Sequence, residues 1–297
     1  MAAGALTADQ DGDANFVWPE DREPAAPVLL AAAAGRCVFH DAAACRCRIQ
    51  RALGHAALPL ACRQFPRVTV IDPRGTSVTL SHYCPTAARL LDEDGAVTID
   101  TDPPAFPPDG EYAGLDTRQA LPPLLRPDML MDWDSWWEWE RLSVETLATL
   151  PAGRARVQLA GAVEMARTWQ PGEGRLVDRV RAAFAAASRT GTDRTRMPPS
   201  SDLIREVLDA IPHEHRLAGI ATPAPPPSAG ALPRFLAAHA FANWTAHFGQ
   251  GLRTWLRSID AAHALATNAG VRQADLLLRH LADPAALAKG WEGIERD

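Results

Sequence analysis

Cysteine is the residue type in this sequence whose number and placement could support chemistry. The chain has 297 residues and five cysteines, and all five lie within the first 84 residues. Four thiolates brought together form a metal or iron–sulfur site. We therefore interpret the cysteines as a local metal-binding set, made up of Cys37, Cys45, Cys47, Cys62 and Cys84.

The spacing of these cysteines does not by itself identify a metal. No pair has the C-x2-C spacing of a zinc finger, and the order of gaps differs from a ferredoxin pattern. The alternative interpretation is that the cysteines are small buried hydrophobic residues, as cysteine often is. Their clustering beside turns and prolines favours the metal-binding interpretation over that alternative.

The composition excludes several classes of function. Hydrophobic residues make up 47% of the chain and charged residues 22%, which is typical of a globular protein. The net charge of −6 argues against a nucleic-acid-binding protein or a binder of anionic membranes, whose surfaces are basic. The uncharged stretches 217–233 and 235–252 contain prolines or polar residues, so no membrane span is predicted.

The N-terminal sequence predicts a cytoplasmic location. Acidic residues occur where a secretory signal peptide would carry positive charge and an apolar segment. Thiols stay reduced in the cytoplasm, so a disulfide framework is not expected there. An odd number of cysteines also fits a disulfide scaffold poorly. Both points favour metal binding or catalysis as the role of the cysteines.

Local patterns predict a mainly α fold with a small cysteine-rich α+β module at the N-terminal end. The β-rich runs RVTVI and SVTLS flank a turn that contains proline and glycine, which predicts a β-hairpin at about 67–81. Helical periodicity begins at Met129. The predicted segments are a disordered 1–25, a cysteine-cluster module at 26–92, a proline-rich connector at 93–128, and a helical domain at 129–297 with a proline-rich loop at 221–233.

The residues around the cysteines resemble a known family. The sequence contains, in this order, CVFH at 37–40, CRIQ at 47–50, LPLACRQFPR at 58–67 and SHYCPTAARLL at 81–91. This order of motifs resembles the CxxCxxCC-type (YkgJ-like) cysteine-cluster family, and in particular its flagellin lysine-N-methylase branch. The match covers about residues 36–92, and the helical remainder is compatible with the C-terminal region of that family.

The resemblance implies a bound metal and a possible enzyme activity. It implies a 4Fe–4S cluster, or zinc as the alternative, with Cys37, Cys47, Cys62 and Cys84 as ligands. Cys45 has no obvious counterpart and is either a substitute ligand or a bystander. The resemblance also implies methyl transfer from S-adenosylmethionine to a lysine of a protein substrate. The sequence itself contains no glycine-rich strand–loop–helix unit for such a cofactor, so this activity rests on the resemblance alone.

The sequence departs from the family in one respect. The family carries a further cysteine cluster near its N-terminus, whereas residues 1–35 of this chain contain no cysteine. We expect either that these ligands have been lost or that the natural chain starts further upstream. Three hypotheses stay open: a lysine-N-methylase-like enzyme, a non-catalytic module that is stapled by a metal and binds a partner protein, and a degenerate member that binds no metal.

Histidine and tryptophan provide further candidates. His40, His55 and His82 lie in the cysteine module and could replace a missing ligand, although each one is better explained as a surface or supporting residue. The tryptophans between 133 and 139 could stack on a ligand, but their helical spacing favours hydrophobic packing. His239 and His247 flank Trp244 on a predicted helix, and we expect them to serve packing.

Overall fold

The chain forms two compact units, Met1–Phe65 and Pro66–Asp297. The computed structural model describes residues 16–17, 29–30, 32–33, 36–44, 46–106, 110–189, 199–211, 226–291 and 293–295. The cysteine module predicted at 26–92 is therefore divided between the two units. Of the segment 1–25, for which disorder is predicted, only Phe16–Val17 is described.

The first unit consists of short hairpins followed by short helices. Three antiparallel pairs of two-residue strands form, in chain order, from β1 (Phe16–Val17) with β2 (Leu29–Leu30), β3 (Ala32–Ala33) with β4 (Arg36–Cys37), and β5 (His40–Asp41) with β6 (Arg46–Cys47). They are followed by α1 (Arg48–Leu53), a 3-10 turn (His55–Ala57) and α2 (Leu60–Gln64).

Polar contacts rather than a hydrophobic core hold these elements together. Oδ1 of Asp41 accepts hydrogen bonds from the backbone N–H groups of Ala43 and Ala44, and its Oδ2 pairs with Arg51 at 2.9 Å. The Arg48 guanidinium donates to the carbonyl of Val38 at 2.6 Å. Among the described residues of this unit, Leu58 is the one hydrophobic side chain that is buried. A folding unit of this kind needs another source of stability.

The second unit begins with the predicted hairpin. Strands β7 (Arg67–Asp72) and β8 (Gly75–Leu80) pair antiparallel, in a register that runs from Arg67 opposite Leu80 to Asp72 opposite Gly75. A third strand, β9 (Leu115–Asp116), pairs parallel to β7. Asp72 closes the two-residue turn, because its Oδ1 accepts a hydrogen bond from the Arg74 N–H at 2.8 Å. The prediction of a hairpin at about 67–81 is confirmed.

Helices make up most of the second unit, so the predicted mainly α class is also confirmed. After α3 (Pro85–Leu90) come the short paired strands β10 (Leu124–Arg126) and β11 (Met129–Leu130). The remaining described helices are α4 (Trp133–Thr149), α5 (Ala152–Arg167), α6 (Leu176–Arg189), α7 (Ser200–Ala210), α8 (Ala231–Ala240), α9 (Trp244–Phe248), α10 (Leu252–Ala269), α11 (Val271–Leu281) and α12 (Pro284–Trp291). Within the described ranges, no helix is both long enough and apolar enough to cross a membrane.

The hydrophobic core of the second unit is built around aromatic side chains. Trp136, Trp139 and Trp255 are almost completely buried. The Trp139 ring meets Phe184 and Trp255 edge to face, at centroid distances of 5.0 and 5.5 Å. Such contacts add to the stabilisation that comes from burying the rings. The predicted packing role of the tryptophans is therefore confirmed for Trp136 and Trp139, whereas Trp133 and Trp137 are only partly buried.

Two glycines, Gly249 and Gly251, separate α9 from α10. A Cβ atom on Gly249 would lie 2.7 Å from the Thr245 carbonyl oxygen, so only glycine fits there. Gly251 has a φ of +149°, and a Cβ on it would meet the Arg126 backbone at 2.9 Å. The break thus follows from close backbone approach, for which glycine is required.

A buried ion-pair network joins the hairpin turn to the helices. Arg74 donates to Asp72 at 2.7 Å and to Glu140 of α4 at 2.6 Å, and its guanidinium lies over the Trp137 ring. Glu140 is only 2% exposed, and its second oxygen accepts a hydrogen bond from the Ala242 N–H at 2.9 Å. Ala242 has a φ of +52°, which is uncommon for a residue other than glycine. One carboxylate therefore fixes both the turn and the corner between α8 and α9.

We expect Glu140→Ala to lower the free energy of unfolding by about 3 kcal/mol, because removing one partner of a buried ion pair leaves the other groups unsatisfied. The measurement is urea unfolding followed by helical circular dichroism. The matched control is Glu145→Ala on the same helix, since Glu145 pairs with Arg141 on the exposed surface. This control should change stability by less than about 0.5 kcal/mol. Equal losses in both variants would contradict a special role for the buried network.

Candidate metal centre

Three of the predicted ligands lie in the first unit, each at the end of a short element or within one. Cys37 is the last residue of β4, Cys47 ends β6 and precedes α1, and Cys62 lies in α2. Cys37 and Cys62 are exposed, and Cys47 is half-buried. The Cys47 side chain makes no capping hydrogen bond to α1, so its sulfur is not committed to holding the helix.

The Cys62 thiol is influenced electrostatically by the other two. Desolvation raises the pKa of Cys62, and repulsion from the sulfurs of Cys37 and Cys47 raises the same pKa further. Like charges disfavour ionisation when they are near each other, and a bound cation reverses this effect.

The three sulfurs do not form a finished coordination site. Across the described ranges, no group of three or more His, Cys, Asp or Glu side chains has the geometry to hold a metal ion. The donor chemistry fits, because thiolates select zinc and iron–sulfur clusters. As they are placed in the described residues, however, the three sulfurs do not share a metal-binding geometry. Cys45 lies outside the described residues.

Cys84 belongs to the second unit, unlike the other described cysteines. It precedes α3, where its backbone N–H donates to the Ser81 carbonyl at 3.2 Å and its carbonyl accepts from Ala88. Its side chain is half-buried and makes no capping hydrogen bond to that helix. The predicted four-cysteine set is therefore divided between the two compact units, with three members in one and Cys84 in the other.

Histidines near the cysteines differ in their surroundings. His40 stands opposite Cys47 in the register of β5 and β6, so the two side chains share one face of this ladder. His40 and His55 are both exposed. His82 is instead buried in the second unit and packs edge to face on Phe235. His40 is therefore the histidine best placed to add a nitrogen ligand to the sulfurs of the first unit.

A second polar cluster lies in the second unit, and it was not predicted from the sequence. Asp275 of α11 is 3% exposed and accepts hydrogen bonds from the Ser81 hydroxyl at 2.6 Å and the Tyr83 N–H at 3.2 Å. Arg279 pairs with the same carboxylate through Nε and Nη2, at 3.1 and 3.2 Å. The i,i+4 spacing of Asp275 and Arg279 on one helix was the available signal, but such pairs usually lie on the surface.

Two histidines lie beside this ion pair, of which His82 is buried and His239 is half-buried. The pKa of each is lowered to about 4, mainly by desolvation, with a smaller lowering by the Arg279 charge and an opposing effect of Asp275. Phe235 contacts both imidazoles, His82 edge to face at 5.6 Å and His239 in a stacked arrangement at 6.2 Å. His239 therefore packs against Phe235, as expected, but it also lies near the charged pair of Asp275 and Arg279.

Comparison with protein-family models gives no match for this sequence. Comparisons with curated proteins and with solved structures also give none. The function is therefore argued from the residues and their arrangement.

The desolvated histidines predict a loss of stability in mild acid. Above about pH 6.5, histidine is neutral in both the folded and the unfolded chain, so stability is fully present. Between pH 6.5 and about 4, the imidazole of His239 binds a proton in the unfolded chain but stays neutral in the folded chain. The free energy of unfolding should therefore fall as the pH falls, by at most about 1.4 kcal/mol per pH unit for each such histidine.

This effect can be measured by urea unfolding at several pH values between 4 and 8. We expect the free energy of unfolding of His239→Leu to fall less steeply below pH 6.5 than that of the wild type. The difference in slope should correspond to at most one proton bound on unfolding. His55→Leu, at an exposed position, should keep the wild-type slope. An unchanged slope in His239→Leu would show that His239 is protonated in the folded chain.

Proposed function

We propose that this chain is a metal-binding cysteine-cluster protein, whose first unit uses Cys37, Cys47 and Cys62 to bind an iron–sulfur cluster. The observation that supports the proposal is that these three cysteines lie on short elements of one compact unit, with Cys37 and Cys62 exposed and the Cys47 side chain making no capping hydrogen bond. Without a cation, bringing three ionisable sulfurs together only disfavours their thiolate forms. The arrangement is accounted for if a bound cation offsets this repulsion.

The packing of the first unit supports the same proposal. Its helix α1 has no buried residue, and Leu58 is the one buried hydrophobic residue among those described there. Small units with so little apolar burial gain stability from metals or disulfides. In a cytoplasmic protein, which is the location we propose, disulfides are disfavoured. The metal would thus act as a structural link between β4, β6 and α2.

A fourth ligand would complete the set, and three residues compete for that role. Cys84 is the ligand that the family resemblance implies, Cys45 lies between two of the coupled cysteines in sequence, and His40 faces Cys47 across the hairpin. An iron–sulfur cluster would supply electron transfer, whereas zinc would supply only structural stabilisation. The residues of the chain would hold either group in place by their sulfurs.

We expect stoichiometric iron and sulfide in protein purified without oxygen, and a loss of at least half of that iron in Cys37→Ser, Cys47→Ser and Cys62→Ser. The physical reason is that each variant removes a thiolate from the shared site. The fourth ligand is then identified by comparing three further variants, Cys45→Ser, Cys84→Ser and His40→Asn. The variant that also loses iron lacks that ligand. Circular dichroism should confirm that the helices of the second unit persist in every variant.

If the purified protein contained stoichiometric zinc and no iron, the metal site would be supported, but as the site of a structural ion and not of an iron–sulfur cluster. The proposal would be wrong if the wild type contained no metal, or if Cys62→Ser kept the full wild-type content. His55→Asn is the matched control, because His55 is an exposed histidine on the 3-10 turn between α1 and α2. It should retain all of the metal.

A more specific version of this proposal is that the protein transfers a methyl group. The motif resemblance at residues 36–92 supports that version. In that form the chain would bind S-adenosylmethionine and a lysine-bearing protein. We expect binding of S-adenosylmethionine by calorimetry to require the metal-loaded protein and to be lost in Cys62→Ser. Metal-loaded protein that binds no S-adenosylmethionine would instead favour the non-catalytic module with a partner protein.

A further inference from the structure

The polar cluster of the second unit surrounds a cavity of about 140 Å³. His82 lies on one side of this cavity, after β8, and His239 lies on another, near the end of α8. The polar part of the lining is completed by Thr79, Asn243, Thr245, Asp275 and Arg279, and most of the remainder is apolar. An apolar cavity of about 150 Å³ can hold benzene, so the space admits a ligand of roughly six non-hydrogen atoms.

One of the two histidines that line the cavity carries a buried polar atom without a partner. Nε2 of His239 is buried and has no hydrogen-bond partner among the described residues. His82 is 5% exposed, and within the described part of the chain its ring makes no hydrogen bond. Buried polar atoms in folded proteins are nearly always paired, so each unpaired atom requires an explanation. The unpaired Nε2 of His239, beside a cavity that His82 and Arg279 also line, points to a bound polar molecule.

The charge that remains available at the cavity is positive. Asp275 already accepts four hydrogen bonds, three at Oδ2 from Ser81, the Tyr83 N–H and Arg279 Nε, and one at Oδ1 from Arg279 Nη2, so its charge is paired within the protein. Arg279 makes these contacts through Nε and Nη2, whereas its Nη1 has no partner among the described residues. Its side chain is 36% exposed. A free guanidinium nitrogen favours a carboxylate or similar oxyanion over a cation.

The cavity wall also contains a strained residue. Ala242 lines the cavity and has a φ of +52°, and it is held there by the hydrogen bond to buried Glu140. Backbone strain of this kind persists only when the surroundings enforce it, and it is concentrated at functional sites. The strain turns the chain between α8 and α9, which brings His239 and Asn243 to the same cavity.

We propose that this cavity binds a small carboxylate of up to about six non-hydrogen atoms, with Arg279 pairing its charge and the imidazole N–H groups of His239 and His82 donating hydrogen bonds to it. This site is distinct from the proposed metal centre and goes beyond the function proposed above. No residue of the cavity is a cysteine, and the binding needs no metal.

The test is titration of the full-length protein with acetate and propionate at constant ionic strength, followed by NMR of ¹⁵N-labelled histidine. Saturable shifts of the His239 ring nitrogens are expected with both carboxylates and not with methylammonium. His239→Leu and Arg279→Lys should each weaken binding about tenfold, the loss expected for one hydrogen bond to a charged group. His263→Leu is the matched control, because Nδ1 of His263 is also buried without a partner but lies away from this cavity.

Absence of saturation with either carboxylate would overturn the proposal and leave ordered water as the partner of the histidines. Saturation with methylammonium alone would overturn it as well, because Asp275 would then be the available charge. Cys62→Ser should bind acetate as the wild type does. This last comparison separates the carboxylate site from the metal proposal, since either one can fail without the other.

Discussion

The buried carboxylate of Glu140 is the constraint on which the second unit depends most. A carboxylate that is 2% exposed loses nearly all of its hydration, so it is tolerated only where hydrogen bonds and an opposite charge replace the lost water. Arg74 supplies the charge from the hairpin turn, and the Ala242 N–H supplies the second bond. Burial raises the pKa of Glu140, and Arg74 opposes that rise. The hairpin, α4 and the corner after α8 must therefore keep their relative positions.

The first unit faces the opposite problem, because it brings together groups that repel each other and has little apolar burial to hold them. The hydrogen bonds of Asp41 and Arg48 fix one hairpin to α1, but such partly exposed contacts each contribute modestly. A bound cation would remove the repulsion among Cys37, Cys47 and Cys62 and would join their three elements. Metal binding and folding of this unit would then be one process, as in other small metal-dependent domains.

Much of the fold could be predicted from local sequence, because its causes are local. Asp72, Pro73 and Gly75 specify the hairpin turn, Pro151 separates α4 from α5, and the glycines at 249 and 251 end one helix before the next begins. The mainly α class follows from the same periodic patterns. The metal role of the cysteines stays a prediction, because the described residues form no group of three or more donors with the geometry to hold a metal ion.

The remaining features could not be predicted, because they depend on residues far apart in the chain. Ser81 and Asp275 are 194 positions apart, and Glu140 and Ala242 are 102 apart. No periodicity or spacing links such pairs before the chain has folded. The assignment of Cys84 to the second unit is a further example, since its motif is continuous with the other cysteine motifs in sequence but its contacts are made with a different unit.

The cavity cluster also determines how Cys84 is presented. Asp275 binds the Ser81 hydroxyl and the Tyr83 N–H, and Arg272 donates to the Tyr83 carbonyl at 3.1 Å. The backbone immediately before Cys84 is thus attached to α11 at three points. If Cys84 were a metal ligand, the position of its backbone would be set by these contacts with α11. A carboxylate bound by Arg279 would act on the same contacts, because Arg279 also holds Ser81 and Asp275.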